Sequence, residues 1–136
     1  IKANTGFKSI EFQALDLNDL NSVQQFAKNF NHEKIDVLLN NAGIMALPKR
    51  ETTVQGFEKQ VGVNHIGHFL LTKLLLNKIR AAPEGRIVNV SSLAHTGARK
   101  GKQTIDFTDY FAEKEGVYRG WDSYFYSKLS NVYFTR

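Results

Sequence analysis

Ile35-Asp36-Val37-Leu38-Leu39, followed directly by Asn40-Asn41-Ala42-Gly43, is the stretch on which the fold turns. A compact apolar run closed by turn-forming residues reads as a strand covered on both faces. Ahead of it, Val23, Phe26, Ala27 and Phe30 recur at i, i+3, i+4 and i+7, the stripe of an amphipathic helix. Asp16-Leu17-Asn18-Asp19 precedes that helix and is rich in capping residue types. Further upstream, Ile10, Phe12 and Ala14 alternate with Ser9, Glu11 and Gln13, which predicts a strand over residues 9–15.

Downstream, Thr52 and Thr53 are candidate caps for a long helix over residues 55–81, with Phe57, Val61, Phe69, Leu70, Leu74 and Ile79 among its apolar positions. Pro83-Glu84-Gly85 breaks it. Arg86-Ile87-Val88-Asn89-Val90 reads as a third strand and ends in Ser91-Ser92. A last helix begins near Asp122 and still runs at Arg136. Strands alternating with helices indicate an α/β domain with a parallel sheet. Ligands of such sheets sit beyond the C-terminal strand ends. Asp16, the Asn40 to Gly43 turn and Ser91-Ser92 all fall there.

The 136 residues suffice for one domain at most, and 42% hydrophobic with 23% charged residues is an ordinary globular mixture. With no Cys, disulfides, thiolate nucleophiles and Cys-ligated zinc are excluded. No apolar run approaches the ~20 residues of a membrane span. The net charge of +5 is local: residues 77–102 hold six basic side chains (Lys78, Arg80, Arg86, Arg99, Lys100, Lys102) and one acid, Glu84. Such a stretch can meet phosphates or acidic headgroups, or simply be a solvated helix end and loop. It lacks interleaved aromatics, so no nucleic-acid partner is expected.

Tyr124 and Lys128 lie four apart in the last helix and share a face. An ammonium beside a phenol favours the phenolate, so such a pair can pass a proton to or from an alcohol or carbonyl oxygen. A hydroxyl such as Ser92 could stabilise charge developing on the same oxygen. Tyr126 has no Lys four residues on and is the weaker candidate. His65 and His68 lie one turn apart, but no third ligand accompanies them; they read as packing or capping groups, and no metal is expected.

Four blocks in order, Asn40-Asn41-Ala42-Gly43, Val63-Asn64-His65-Ile66-Gly67-His68-Phe69, Arg86 to Ser92 and Tyr124-Phe125-Tyr126-Ser127-Lys128, resemble the short-chain dehydrogenase/reductase family. Residues 90–95 and 127–132 are most similar to its retinol dehydrogenase and WW-domain oxidoreductase branch. The resemblance implies a doubly wound, Rossmann-like parallel sheet, with residues 1–136 forming a single partial dinucleotide-binding domain. It also implies an NAD(P)-dependent oxidoreductase that interconverts an alcohol and a carbonyl, with NADP favoured over NAD and a retinoid- or steroid-like substrate. Tyr124 would then be the acid/base and Lys128 its tuner and ribose contact. Ser92 would orient the substrate oxygen, with Ser91 as the alternative, and Asn64 would hold a relay water. Asp16, with Leu17 beside it, would meet the adenine, while Asn40, Ala42 and Gly43 would line the cofactor. The alternative for Asp16 is a helix cap, and the alternative for the whole chain is a non-catalytic scaffold keeping the fold.

Relatives pair through the long helices bearing Asn64 and Tyr124, which is consistent with a homodimer or tetramer. Family analogy gives a cytoplasmic or endoplasmic-reticulum-associated location, with any membrane association coming from segments outside this chain. Two departures stand out. Thirty-one residues separate Ser92 from Tyr124, far more than in compact relatives. This insertion, roughly Thr96 to Trp121, carries Phe107, Tyr110, Phe111, Tyr118 and Trp121. It reads as an apolar wall over the substrate site, or else as a surface excursion tucked in by its aromatics. The family's opening strand and its Thr-Gly-x-x-x-Gly-x-Gly turn are also not among these residues. Strands 9–15 and 35–39 would be third and fourth in the order 3-2-1-4-5-6 and should not pair directly. The 136 residues are therefore expected to be an excerpt of a longer chain.

Overall fold

Asp19 opens the first helix, α1 (Leu20–Asn29), by accepting the Asn21 amide at 2.9 Å on its side chain. The structure is a computed structural model that describes residues 4, 6, 8–97, 105, 107–114, 116 and 118–136. Val23 anchors α1 into a core of Leu17, Ile35, Leu71, Leu75 and Ile79, with Phe26, Ala27 and Phe30 against it. That is the predicted stripe, buried as its spacing requires. The basic side chains Arg99, Lys100 and Lys102 lie outside the described residues.

Strand β1 (Val37–Asn40) pairs in parallel with β2 (Arg86–Asn89), Val37 opposite Arg86 and Asn40 opposite Asn89. Parallel pairing needs a crossover, and the helical residues 59–80 supply it. Leu38, Asn40, Ile87 and Asn89 point to the helical side: Leu38 and Ile87 pack on the core, Asn40 bonds Thr72, and Asn89 bonds Thr135. Val37, Leu39 and Val88 are exposed on the other side. Among the described residues the helices cover this one face, where the apolar run predicts cover on both. Residues 9–15 also depart from expectation. They form no ladder among the described residues, and Phe12 is 92% exposed. With no strand beside it, an alternating segment has nothing to hydrogen-bond. It does not pair with β1, as the strand order required.

The long helix is three pieces: α2 (Lys59–Val61), a π-helical turn (Gly62–Gly67) and α3 (His68–Arg80). Its cap is Glu58, which accepts the Val61 amide at 2.8 Å, rather than Thr52 or Thr53. Thr53 instead accepts the Phe57 amide inside the preceding turn. Gly67 lets the Leu17 backbone lie against the helix, since a Cβ there would stand 2.9 Å from the Leu17 carbonyl oxygen. Helix α4 (Gly120–Thr135) is buried continuously from Ser123 to Asn131. Among the described residues no helix is long and apolar enough to cross a membrane.

Of the insertion, the described part forms a strap. Ile105, Tyr110 and Phe111 pack on Val61, Phe125, Tyr126 and Leu129. Tyr110 bonds Ser130 at 2.7 Å, and Phe111 stacks on Phe57 at 5.3 Å.

Candidate functional site

Tyr124 stands one turn into α4 and Lys128 one turn further, both buried. The Lys128 Nζ lies 5.8 Å from the centre of the Tyr124 ring and donates to the Val90 carbonyl at 3.2 Å. Burial holds the Lys128 ammonium below the usual lysine range, because a desolvated cation favours losing its proton. The edge of Trp121 meets the Tyr124 ring at 6.0 Å. Tyr126 belongs to the opposite side, against Tyr110 of the strap.

The two serines at the end of β2 are sorted by their bonds. Ser91 donates its hydroxyl to the Lys128 carbonyl at 2.8 Å and so serves the helix backbone. Ser92 accepts the Ala94 amide and caps a short turn (Leu93–Thr96) that packs against α4. As an acceptor in that cap, Ser92 keeps its hydroxyl proton for another oxygen.

Asn64 sits in the π-helical turn, fully buried. Its Oδ1 accepts the Ile44 amide at 2.8 Å; its Nδ2 donates to the Ile44 carbonyl at 2.9 Å and to Ser127 Oγ at 3.0 Å. Both edges of one loop residue are thereby fixed. Gly43, just before it, comes so near that a Cβ would lie 3.1 Å from Asn64 Oδ1 and 3.5 Å from Lys128 Nζ. The loop after β1, the π-helical turn and α4 thus converge on the lysine.

The expected cofactor residues divide. Gly43 is at this convergence, with Ala42 exposed beside it. Asn40 is buried instead, donating to Thr72 Oγ1 at 2.9 Å and Asn89 Oδ1 at 2.7 Å, while its own Oδ1 is buried with no partner among the described residues. Leu17 is a core residue against Gly67. Asp16 is exposed, and its carboxylate accepts the Asn18 amide at 2.9 Å in a local turn; Asp19, not Asp16, caps the helix. Of the insertion's described aromatics, Phe107 and Tyr110 line an apolar groove of about 390 Å³ with His65, Ile66, Phe69 and Tyr133, which neither Tyr124 nor Lys128 borders. Trp121, also of the insertion, has a ring contact with Tyr124.

Three residues escaped the sequence reading. Asn131 donates to the Asn64 carbonyl at 3.1 Å and to the Val90 carbonyl at 3.2 Å, sharing the latter with Lys128. Its Oδ1 meets His65 Nδ1 at 3.1 Å. Gln60 and Glu58 form a buried polar cluster with Tyr118, whose phenol is pushed up to about 12 by burial first and the Glu58 charge second. A signal was present: Gln60, Asn64, His68 and Thr72 recur every four residues, a polar row on one side of a helix, and all four are buried.

A family profile described as short chain dehydrogenase matches residues 1–119. Human retinol dehydrogenase 11 is 45% identical over 138 aligned positions, which cover 100% of this chain and 41% of that relative. The chain thus spans about two fifths of that relative's length. A crystal structure of an uncharacterized Mycobacterium paratuberculosis protein superposes with a TM-score of 0.77 at 43% identity, covering 98% of this chain and 45% of that one. A short chain dehydrogenase from Escherichia coli CFT073, complexed with NADPH, shares the fold at a TM-score of 0.65 and 23% identity, over 98% of this chain and 50% of that one.

Proposed function

Since the chain belongs to the short-chain dehydrogenase family, with its Rossmann-like α/β fold, we propose that it carries the proton-transfer centre of an NAD(P)-dependent oxidoreductase. The reaction interconverts an alcohol and a carbonyl on a lipophilic substrate of the retinoid kind. One observation carries this reading: a buried lysine ammonium stands over the Tyr124 ring, at the point where Gly43 and Asn64 close in.

The residues present fit a nicotinamide cofactor. Gly43 leaves a small-residue floor beside Lys128, and an ammonium with one bond to Val90 retains donors for ribose hydroxyls. Gly43 and Ala42 would line that ligand and Lys128 would hold its ribose. NADP(H) is the preferred form by analogy with the family. When bound, the nicotinamide supplies or accepts the hydride.

The protein's own part is the proton. In the reducing direction Tyr124 gives its hydroxyl proton to the substrate oxygen, and Ser92 donates a hydrogen bond to the same oxygen as charge develops. The Lys128 cation favours the phenolate left behind. Asn64 keeps the Gly43–Ile44 loop against Lys128 and is the residue proposed to hold the relay water. Trp121 offers an apolar surface beside Tyr124 for the substrate body.

The test is Tyr124→Phe in the protein that carries this chain, with NADPH oxidation followed against a long-chain polyenal. Turnover should fall by at least about 1,000-fold, while NADPH affinity stays as in the unsubstituted protein. Turnover retained by Tyr124→Phe would overturn the assignment. Unchanged turnover would equally suit a site elsewhere, and no turnover in either protein would suit a scaffold.

A further inference from the structure

Gln60 is fully buried at the start of the long helix, and its amide reaches three separate segments. Its Oε1 accepts the Ala46 amide at 2.6 Å. Its Nε2 donates to the Gly120 carbonyl at 2.8 Å and to the Tyr118 hydroxyl at 3.0 Å. The loop after β1, the end of the strap and the first residue of α4 are therefore tied through one side chain.

Other features show how close this junction is. Ala46 has a φ of 52°, in the left-handed region that a residue with a Cβ adopts only when its surroundings impose it. At Gly120 a Cβ would overlap the Leu47 carbonyl oxygen, so loop and helix backbones touch. Glu58, also fully buried, accepts from the Tyr118 hydroxyl at 3.3 Å and from the Val61 amide. Buried amides and carboxylates left unpaired are costly, so each bond here is needed for the cluster to persist.

One turn along the same helix, Asn64 grips Ile44 by both its amide and its carbonyl. The loop is held at two points, and the Gln60 point is shared with α4 just ahead of Tyr124. Resting on the oxidoreductase reading, we propose that Gln60 is a positioning residue: by joining Ala46 to Gly120 it sets the separation between the Gly43 floor and the Tyr124 hydroxyl. It touches neither substrate nor cofactor and acts only through the two backbones it bridges. A shift of ~1 Å between reacting groups is enough to cost ~100-fold in rate.

Gln60→Leu and Gln60→Glu in the protein that carries this chain provide the test. Leucine removes every bond; glutamate keeps the acceptor toward Ala46, loses the donors toward Gly120 and Tyr118, and preserves the shape if Gln60→Leu does not fold. The readouts are kcat and KM with NADPH and the polyenal, NADPH affinity, hydrogen exchange at the Ala46 amide, and emission from Trp121, next to Gly120, read as the difference from the same protein carrying Trp121→Phe. In both variants kcat should fall by about 10- to 100-fold, with NADPH affinity and KM within about threefold. Trp121 emission should shift in both, and Ala46 exchange should accelerate in Gln60→Leu alone. Unchanged kcat in a folded variant, or unchanged exchange and emission, overturns the proposal. If the unsubstituted protein shows no turnover, the oxidoreductase reading falls separately, and exchange and emission alone decide whether Gln60 joins the loop to the helix.

Discussion

His65 and His68 each surrender a ring nitrogen to a buried partner, Asn131 Oδ1 and the Asn64 carbonyl. Burial pushes both imidazoles below their usual 6.5, with Lys128 adding to the effect at His68. Their folded values lie under the unfolded one, so the unfolded chain binds more protons as the pH drops below it. The stability they contribute is full above 6.5 and is lost as pH falls through the lower folded values. Urea midpoints should therefore decline between pH 7 and pH 5, and His68→Gln should flatten that decline. At Asn131, removal of the amide leaves His65 Nδ1 without its partner and takes one of the two donors from each of the Asn64 and Val90 carbonyls. Asn131→Ala should cost about 1–3 kcal/mol in a denaturation curve. The aromatics of the insertion separate in the same way. Trp121→Ala should raise KM for a bulky carbonyl several-fold and leave the urea midpoint nearly unchanged. Phe111→Ala, which empties the stack on Phe57 and Tyr110, should lower the midpoint and spare KM. Tyr124 and Lys128 were legible because i, i+4 spacing fixes a shared face. Gln60 and Asn131 were not, since a polar residue in a helix reads as solvent-facing until its burial is known.

Elements were easier to read than their ends and pairings. The α1 stripe and the β1 and β2 runs emerged from periodicity, whereas the long helix's start did not: Glu58 caps it, and the Thr53 hydroxyl is used in the turn before it. Nor does periodicity reveal the π-helical turn. Gln60, Asn64, His68 and Thr72 are spaced by four, and in a regular α-helix each such step drifts by about 40°. A wider turn rotates less per residue and draws the row back to one side. Gly67 belongs to that turn, and its replacement sets two effects in opposition. Alanine is favoured in helices by ~1 kcal/mol, but its Cβ would lie 2.9 Å from the Leu17 backbone oxygen. Backbone cannot rotate aside, so overpacking wins: Gly67→Ala should destabilise by about 1–3 kcal/mol, measured by urea titration.

At the scale of the sheet, the sequence supports neighbours on both faces, and the described residues supply helices on one, in a chain that spans about two fifths of its human relative's length. The apolar residues Val37, Leu39 and Val88 are right for a covered face and stand exposed at 55%, 57% and 43%. Composition carries no record of which partner covers which side, so this could not be read from residue types. An exposed apolar patch promotes association. In the 136 residues taken alone, Leu39→Thr with Val88→Thr should lessen concentration-dependent light scattering while changing stability by less than about 1 kcal/mol, because neither side chain there gives up a buried contact of full size. The insertion could not be placed from sequence for a related reason. Aromatic residues announce burial but not the surface they bury against, and here Tyr110 and Phe111 chose the Tyr126 side of α4.

The polar row along the long helix has a consequence for how this sequence can change in length. Dropping His65 or Ile66 would let the wider turn close toward a regular α-helix, leaving α3 near its place but bringing His68 three residues from Asn64 instead of four. His68 would then leave the Asn64 carbonyl, although neither residue had been altered. Codon losses there should be purged, whereas substitutions at the exposed Phe69 or Lys73 of the same helix should pass.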